Sequence, residues 1–288
     1  MPELPEVETI RGDLARKLVG LRIQSVEILN QKTVALAPAV FYKRLSSQSI
    51  DIVGRRAKLL FFKLKPSGEY LLVHLKMTGQ LIYQDKHSHL AGGHSLSKEE
   101  GTKYPNRHTR VIFNFKNNGR LFFNDLRKFG YIKLASAGDL DDFIRRNYGP
   151  EPLHPDFSLV SLAGALKSKK TNIKAALLNQ KNVSGLGNIY VDESLFLAKI
   201  SPKRRADSLS APELKKLYSA INKIIAQAIK DRGTTFNSYR DSEGRKGSFS
   251  HRLRVYGRHL SPCPTCGRPI SKIKLAGRGT HYCSFCQV

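Results

Sequence analysis

The stretch CPTCGRPISKIKLAGRGTHYCSFC, residues 263–286, holds all four cysteines of the chain: Cys263, Cys266, Cys283 and Cys286. Two C-x2-C pairs stand sixteen residues apart. A two-residue gap lets both thiolates of a pair approach one ion from a tight turn, and two such pairs complete a tetrahedral site. The alternatives are two disulfides or four unrelated thiols. Disulfides fit poorly with the cytosolic character of the rest of the chain. Four thiolates also close the coordination shell, so one structural Zn2+ is expected and no open catalytic metal. Between the pairs, KIKLAGRGTHY (272–282) reads as a β-hairpin. Gly277 and Gly279 flank Arg278, so the backbone can turn sharply there and project the cation. A guanidinium on a basic finger reads as a phosphate clamp.

The charge of the tail extends this reading. From Gly244 to Val288 there is no Asp or Glu, against nine Arg and Lys. The whole chain of 288 residues carries a formal charge of +26. Such a chain calls for a polyanionic partner, and nucleic acid supplies one through phosphate neutralisation and counterion release. No run of 18 apolar residues occurs, so no membrane partner is expected. The N-terminus is acidic and unlike a secretory signal, so a cytoplasmic protein is expected.

Upstream, two patterns follow one another. PEVETIRGDLARKLVG (5–20) is amphipathic, with Val7, Ile10, Leu14 and Leu18 recurring at helical spacing. From Ile23 to about Leu134, short alternating runs such as DIVGRRAKLLFFKLK and RVIFNFK, separated by turn residues, predict a β-sandwich or barrel. The polar stretch 84–106 interrupts them and reads as a surface loop; its His87, His89 and His94 are not taken as ligands. GPEPLHPDF (149–157) reads as linker. Helical patterns follow, including NIYVDESLFLAK from Asn188 and SAPELKKLYSAINKIIAQAIKDRG (210–233). The glycines of KNVSGLGN (181–188) place a turn between two helices, a device that grips phosphate with helix N-termini and free N–H groups. The expected architecture is α+β in two domains. An N-terminal helix and β-sandwich (1–135) and a linker (136–157) precede a helical DNA-binding domain (158–243) and the finger (244–288).

The chain begins MPELPEVETI. Removal of Met1 would leave Pro2 with a free secondary amine, which can attack an electrophilic carbon and form a Schiff base. An unperturbed α-amine titrates near ~7.7–8.0, so a useful fraction is neutral at working pH. Glu3 and Glu6 are the adjacent proton carriers. The competing reading is that Glu6 and Glu8 merely favour the helix dipole.

PELPEVE (2–8), GRRAK (54–58), HLKMTG (74–79), DLRKFG (125–130), GLGNIYVDESLF (185–196) and GRGTHYCSFC (277–286) occur in this order. Together they resemble the bacterial formamidopyrimidine-DNA glycosylase family over nearly the whole chain. The resemblance implies a helix–two-turn–helix second domain, a zinc finger and double-stranded damaged DNA as partner of a monomer. It implies excision of oxidised purines such as 8-oxoguanine from a flipped-out nucleotide, then β,δ-elimination. In that pattern Pro2 attacks C1′, Glu3 is the general acid/base and Glu6 supports it. Lys58 matches a lysine near the reacting nucleotide. Asn188 and Arg278 match residues that pinch the flanking phosphates, with Lys174 as a secondary contact. Met77, Arg127 and Phe129 match the trio that fills the vacated space. Lys128 stands where Arg is common and is expected to bind phosphate without a bidentate fork. Residues 234–249 occupy the place of a base-capping loop. Two alternatives stay open: the endonuclease VIII-like branch for oxidised pyrimidines, and a non-catalytic zinc-finger binder.

Overall fold

The computed structural model describes residues 1–86, 89–93, 103–234 and 247–288. The chain forms two compact units: 1–144 with 232–247, and 145–231 with 248–288.

The first unit opens with α1 (Leu4–Leu18), whose Pro5 suits the first turn, where its missing N–H is no loss. Among the described residues nine strands follow in order: β1 (Ile23–Ile28), then, after α2 (Pro38–Leu45), β2 (Ser49–Arg56), β3 (Leu59–Lys65), β4 (Tyr70–His74), β5 (Gly79–Gln84), β6 (His89–Gly93), β7 (Thr109–Phe115), β8 (Arg120–Asp125) and β9 (Tyr131–Ala135). They form two antiparallel sheets, β2-β3-β4-β9 and β1-β7-β8-β5-β6. Alternate residues of both sheets (Leu60, Phe62, Leu64, Leu81, Tyr83, Phe113, Phe115, Phe123) meet in one apolar core. Val7, Ile10, Leu14 and Leu18 of α1 join the same core, so burial of one helix stripe fixes the N-terminus against the sandwich.

The interruption at 84–106 is in part a strand. Residues 89–93 pair with β5 as β6, and Gly92 lies so close to α1 that a Cβ would come 2.8 Å from Ile10. The polar composition concealed it because an edge strand needs few apolar residues. His89 stacks on Tyr104, with centroids 5.7 Å apart, while His87 and His94 lie outside the described residues.

The stretch 136–157 carries α3 (Ala137–Asn147). The second unit then contains α4 (Leu159–Leu166), α5 (Ile173–Leu178), α6 (Asn188–Ala198) and α7 (Ala211–Lys230). The cap of α5 is Asn172, whose side chain accepts the Ala175 N–H at 2.8 Å. Between α5 and α6, Gln180 accepts the Gly185 N–H and donates to the Leu178 and Leu186 carbonyls, which braces both turns. The C-terminal hairpin is β10 (Ser271–Leu275) and β11 (Arg278–Tyr282). Its two-residue turn, Ala276–Gly277, has positive φ at both positions (50° and 70°), the combination that matches strand twist. No helix among the described residues is long and apolar enough to cross a membrane.

Candidate active site and nucleic-acid interface

In the first unit, the N-terminal turn is built by its own carboxylates. Glu3 is the N-cap of α1 and is buried at 4% exposure; Glu6 closes a capping box by accepting the Glu3 N–H on Oε2 at 2.9 Å. Pro2 therefore precedes a fixed peptide and stands next to a carboxyl group shielded from water. The other oxygen of Glu6 accepts both the N–H (2.8 Å) and the hydroxyl (3.0 Å) of Thr234.

Lys58 lies in the two-residue turn between β2 and β3 and is buried at 5% exposure. Arg55 anchors this turn, donating to Glu8 of α1 (2.8 Å) and to the Ala57 carbonyl (3.1 Å). Burial raises the Glu8 pKa, but bonds from Arg11 and Arg55 outweigh it and hold the carboxyl below its usual range. Glu8 is thus a strut between helix and hairpin, beyond the dipole role suggested by its position. His74, at the end of β4, is buried near two ammonium groups. Burial first, then the charges of Lys76 and Lys58, bring its pKa down to about 3. Its Nδ1 accepts the Lys76 N–H at 3.0 Å, so the neutral ring is the resident form.

Met77 and the Arg127–Phe129 segment sit on two turns that one side chain joins. Asp125 accepts the Thr78 hydroxyl and the Arg127 N–H (3.2 Å) on Oδ1, and the Gly130 N–H (2.7 Å) on Oδ2. Thr78 in turn accepts the Arg127 N–H at 3.0 Å. Met77 is half-buried on the turn between β4 and β5. Phe129 is 56% exposed, a large apolar ring held in water, and the Arg127 guanidinium lies 4.8 Å from its centroid. Lys128, between them, is exposed in the left-handed region at φ 59°.

In the second unit, α6 is interior on most of its surface, and its two acidic residues hold the hairpin and the 254–256 segment. Asp192 accepts the Lys174 ammonium (2.6 Å) on one oxygen and the His281 N–H (2.9 Å) on the other. Glu193 accepts the N–H groups of Arg254, Val255 and Tyr256. Lys174 also donates to the Gly279 carbonyl at 3.2 Å, as does the Asn188 amide at 2.9 Å. Lys174 is fully buried, so the expectation that it contacts DNA is corrected. Its long side chain is an internal brace, and its partners on α6 and β11 explain why a lysine is kept there. Asn188 stands at the first turn of α6, where free N–H groups favour anions. Arg278 is exposed at the base of the Ala276–Gly277 turn, opposite Leu275.

The four cysteines are free, and all their sulfurs lie within 4.8 Å of one another. The Cys266–Cys283 and Cys263–Cys286 sulfurs are 3.6 and 4.0 Å apart. Tetrahedral thiolates about 2.3 Å from one ion would stand about 3.8 Å apart. The donor set therefore fits a metal ion, and no pair of sulfurs stands at the disulfide distance of about 2.05 Å. Thr265 and Cys286 N–H groups donate to Cys263 and Cys283 sulfur, each at 3.4 Å, as they do where thiolate charge needs support.

Three family models match the chain in series: the formamidopyrimidine-DNA glycosylase N-terminal domain over 1–132, its H2TH domain over 148–239, and a zinc finger found in FPG and IleRS over 261–288. The chain belongs to the formamidopyrimidine-DNA glycosylase family. It is 43% identical to the Symbiobacterium thermophilum formamidopyrimidine-DNA glycosylase over 100% of this chain and 89% of that protein. Against the Listeria innocua protein of that name the identity is 40% over 100% of both. The solved complex between the Lactococcus lactis Fpg and an abasic site containing DNA superposes with a TM-score of 0.88, at 35% identity and 99% coverage of each chain. Membership makes the chain a DNA glycosylase of oxidised-purine repair. The residues sequence reasoning missed, Asp125, Thr78, Thr234, Asp192 and Glu193, are carboxylates or hydroxyls that each have at least one partner far away along the chain.

Proposed function

We propose that Pro2, freed by removal of Met1, is the nucleophile of a bifunctional glycosylase and AP lyase acting on 8-oxoguanine and formamidopyrimidine nucleotides in double-stranded DNA. Its neutral amine attacks C1′; the C1′–N bond to the damaged base breaks and the base leaves with a proton. Loss of the amine proton leaves a neutral aminal at C1′, and cleavage of the C1′–O4′ bond, with a proton delivered to O4′, opens the sugar ring and gives the iminium form of the Schiff base. This acidifies the C2′ proton, and β- then δ-elimination expel the 3′ and 5′ phosphates. Glu3 carries the protons at the sugar, and Glu6 holds Glu3 in place. Lys58 stabilises anionic charge at the reacting nucleotide. Asn188 and Arg278 hold flanking phosphates, with Lys128 adding a further phosphate contact. Met77, Arg127 and Phe129 fill the space that the flipped nucleotide vacates. The 234–249 segment matched to a base-capping loop falls mostly on 235–246, outside the described residues.

The ion at the four cysteines is Zn2+, held structurally, with one equivalent per chain expected by elemental analysis. The protein acts as a monomer on cytoplasmic DNA and has no membrane partner. The observation that carries the reading is the buried Glu3 carboxyl directly following Pro2, with Glu6 fixing its backbone.

Borohydride trapping on duplexes with 8-oxoguanine opposite cytosine or with thymine glycol tests it, the crosslinked peptide being mapped by mass. A crosslink at Pro2 on the purine lesion is expected, and Glu3→Gln should lower base excision by at least about 100-fold with duplex binding retained. A crosslink on thymine glycol alone would move the protein to the pyrimidine branch. Binding with no crosslink on either duplex would leave a non-catalytic binder.

A further inference from the structure

The three residues after α7 and Asp231 form a short strap along α1. Arg232 stands in the left-handed region at φ 60°, and its Nη2 reaches both oxygens of Asp13, at 2.8 and 2.6 Å. The Asp13 carboxylate is 1% exposed and is shared with Arg16 of the same helix. Two residues on, Thr234 gives its N–H and hydroxyl to Glu6. Between them Gly233, at φ 81°, passes so near that a Cβ would come 2.7 Å from Glu6 Oε1. Asp13 and Glu6 are seven residues apart, about two helical turns, and so lie on one face of α1. The strap is therefore held at two points on the face that carries Glu6. From Glu6 the contacts continue to the Glu3 N–H, and that peptide is bonded directly to Pro2.

We infer that Arg232 is a positioning residue for the N-terminal amine, acting through Asp13, the strap, Glu6 and the Glu3 peptide. A chain terminus frays unless tied down. Attack on C1′ needs the amine at a defined distance and angle, and displacement of a reacting group by about 1 Å can cost about 100-fold in rate. Glu6 alone cannot supply that definition, because a carboxylate on a first helical turn rotates about its own torsions. Thr234 removes that freedom only if Thr234 is itself fixed. Arg232 on the buried Asp13 fixes it. The bland alternative is a part-exposed ion pair that adds a little stability and no more.

The inference rests on Pro2 as nucleophile, and its test keeps the two separable. Arg232→Gly removes the guanidinium at a position whose positive φ suits glycine, so the backbone is not strained by the change. Arg232→Lys keeps the charge, and Thr234→Val removes the hydroxyl bond of the other anchor while its N–H bond to Glu6 remains. Single-turnover trapping is measured at saturating protein on 8-oxoguanine and on preformed abasic duplexes, together with Kd for a reduced abasic site and Tm. Arg232→Gly and Thr234→Val should slow trapping roughly tenfold on both substrates. Their Kd should stay within about twofold, and Tm should fall by no more than about 3 °C. Arg232→Lys should recover most of the rate. Unchanged trapping in Arg232→Gly, or a loss that follows only Kd or Tm, would overturn the inference while the Pro2 reading stands. Absence of a Pro2 crosslink in the unsubstituted protein would overturn both.

Discussion

Asp125 and Glu6 share a device: one short carboxylate collects donors from two separate segments and so sets where those segments lie. For Asp125 the segments are the turn bearing Met77 and the turn bearing Arg127 and Phe129. Asp125→Ala would leave the Thr78 hydroxyl and two N–H groups without this acceptor. A loss of about 2–4 kcal/mol in urea unfolding is expected. Excision should fall more steeply than binding to undamaged duplex, because only the former needs the wedge in register. Equal losses in both assays would mean that Asp125 serves stability alone. Consecutive chemistry such as Pro2–Glu3 and the C-x2-C pairs was legible in the sequence because spacing states it. Asp125 was not, since Thr78 lies 47 residues away, and Arg232 lies 219 residues from Asp13. Nothing local marks an aspartate as the partner of so distant a residue.

Among the elements, α6 does most to unite the second unit. Its Asp192 and Glu193 point inward, to the hairpin and to 254–256. Their burial is tolerable because each carboxylate is met by an ammonium or by backbone N–H groups. Lys174→Met removes the ammonium and leaves Asp192 with reduced compensation. Breaking such a pair from one side is expected to cost about 3–5 kcal/mol. Adding Asp192→Asn should restore part of that loss, read by denaturant titration. A single variant as stable as the parent would show that Gly279 and Asp192 do not depend on Lys174. The longer helices and most strands were legible from their periodicities. Strand β6, α2, α3 and α4 were not: β6 is short, glycine-bearing and at a sheet edge, α2 and α4 cover only about two turns each, and α3 buries a single apolar residue, Leu140, within the stretch read as linker.

For the molecule as a whole, acid should act through His74 as well as through carboxylates. Its folded pKa of about 3 lies below the ordinary value near 6.5, so between these values the unfolded chain binds a proton that the folded chain refuses. The contribution is fully present above pH 6.5 and is lost as pH falls toward 3, by up to about 1.4 kcal/mol per pH unit. His74→Gln should flatten the stability curve between pH 6.5 and 4.5, as followed by urea midpoints. Parallel curves for the two proteins would exclude this origin. The two-domain α+β architecture could be read from the order of motifs. The return of 232–247 to the first unit could not, because composition shows a helix end and a polar stretch but not the Asp13 and Glu6 anchors that hold 232–234.

Lys58 and Arg278 both depend on two-residue turns, Ala57–Lys58 and Ala276–Gly277, each led by an alanine at positive φ. Such a turn has no slack. A residue gained or lost there shifts strand pairing by one step and sends every following side chain to the opposite face of its ribbon. Evolutionary drift in length at these two tips is therefore closed to this chain, whereas replacing either alanine by glycine or asparagine stays open. Length can vary instead where no pairing register follows from it.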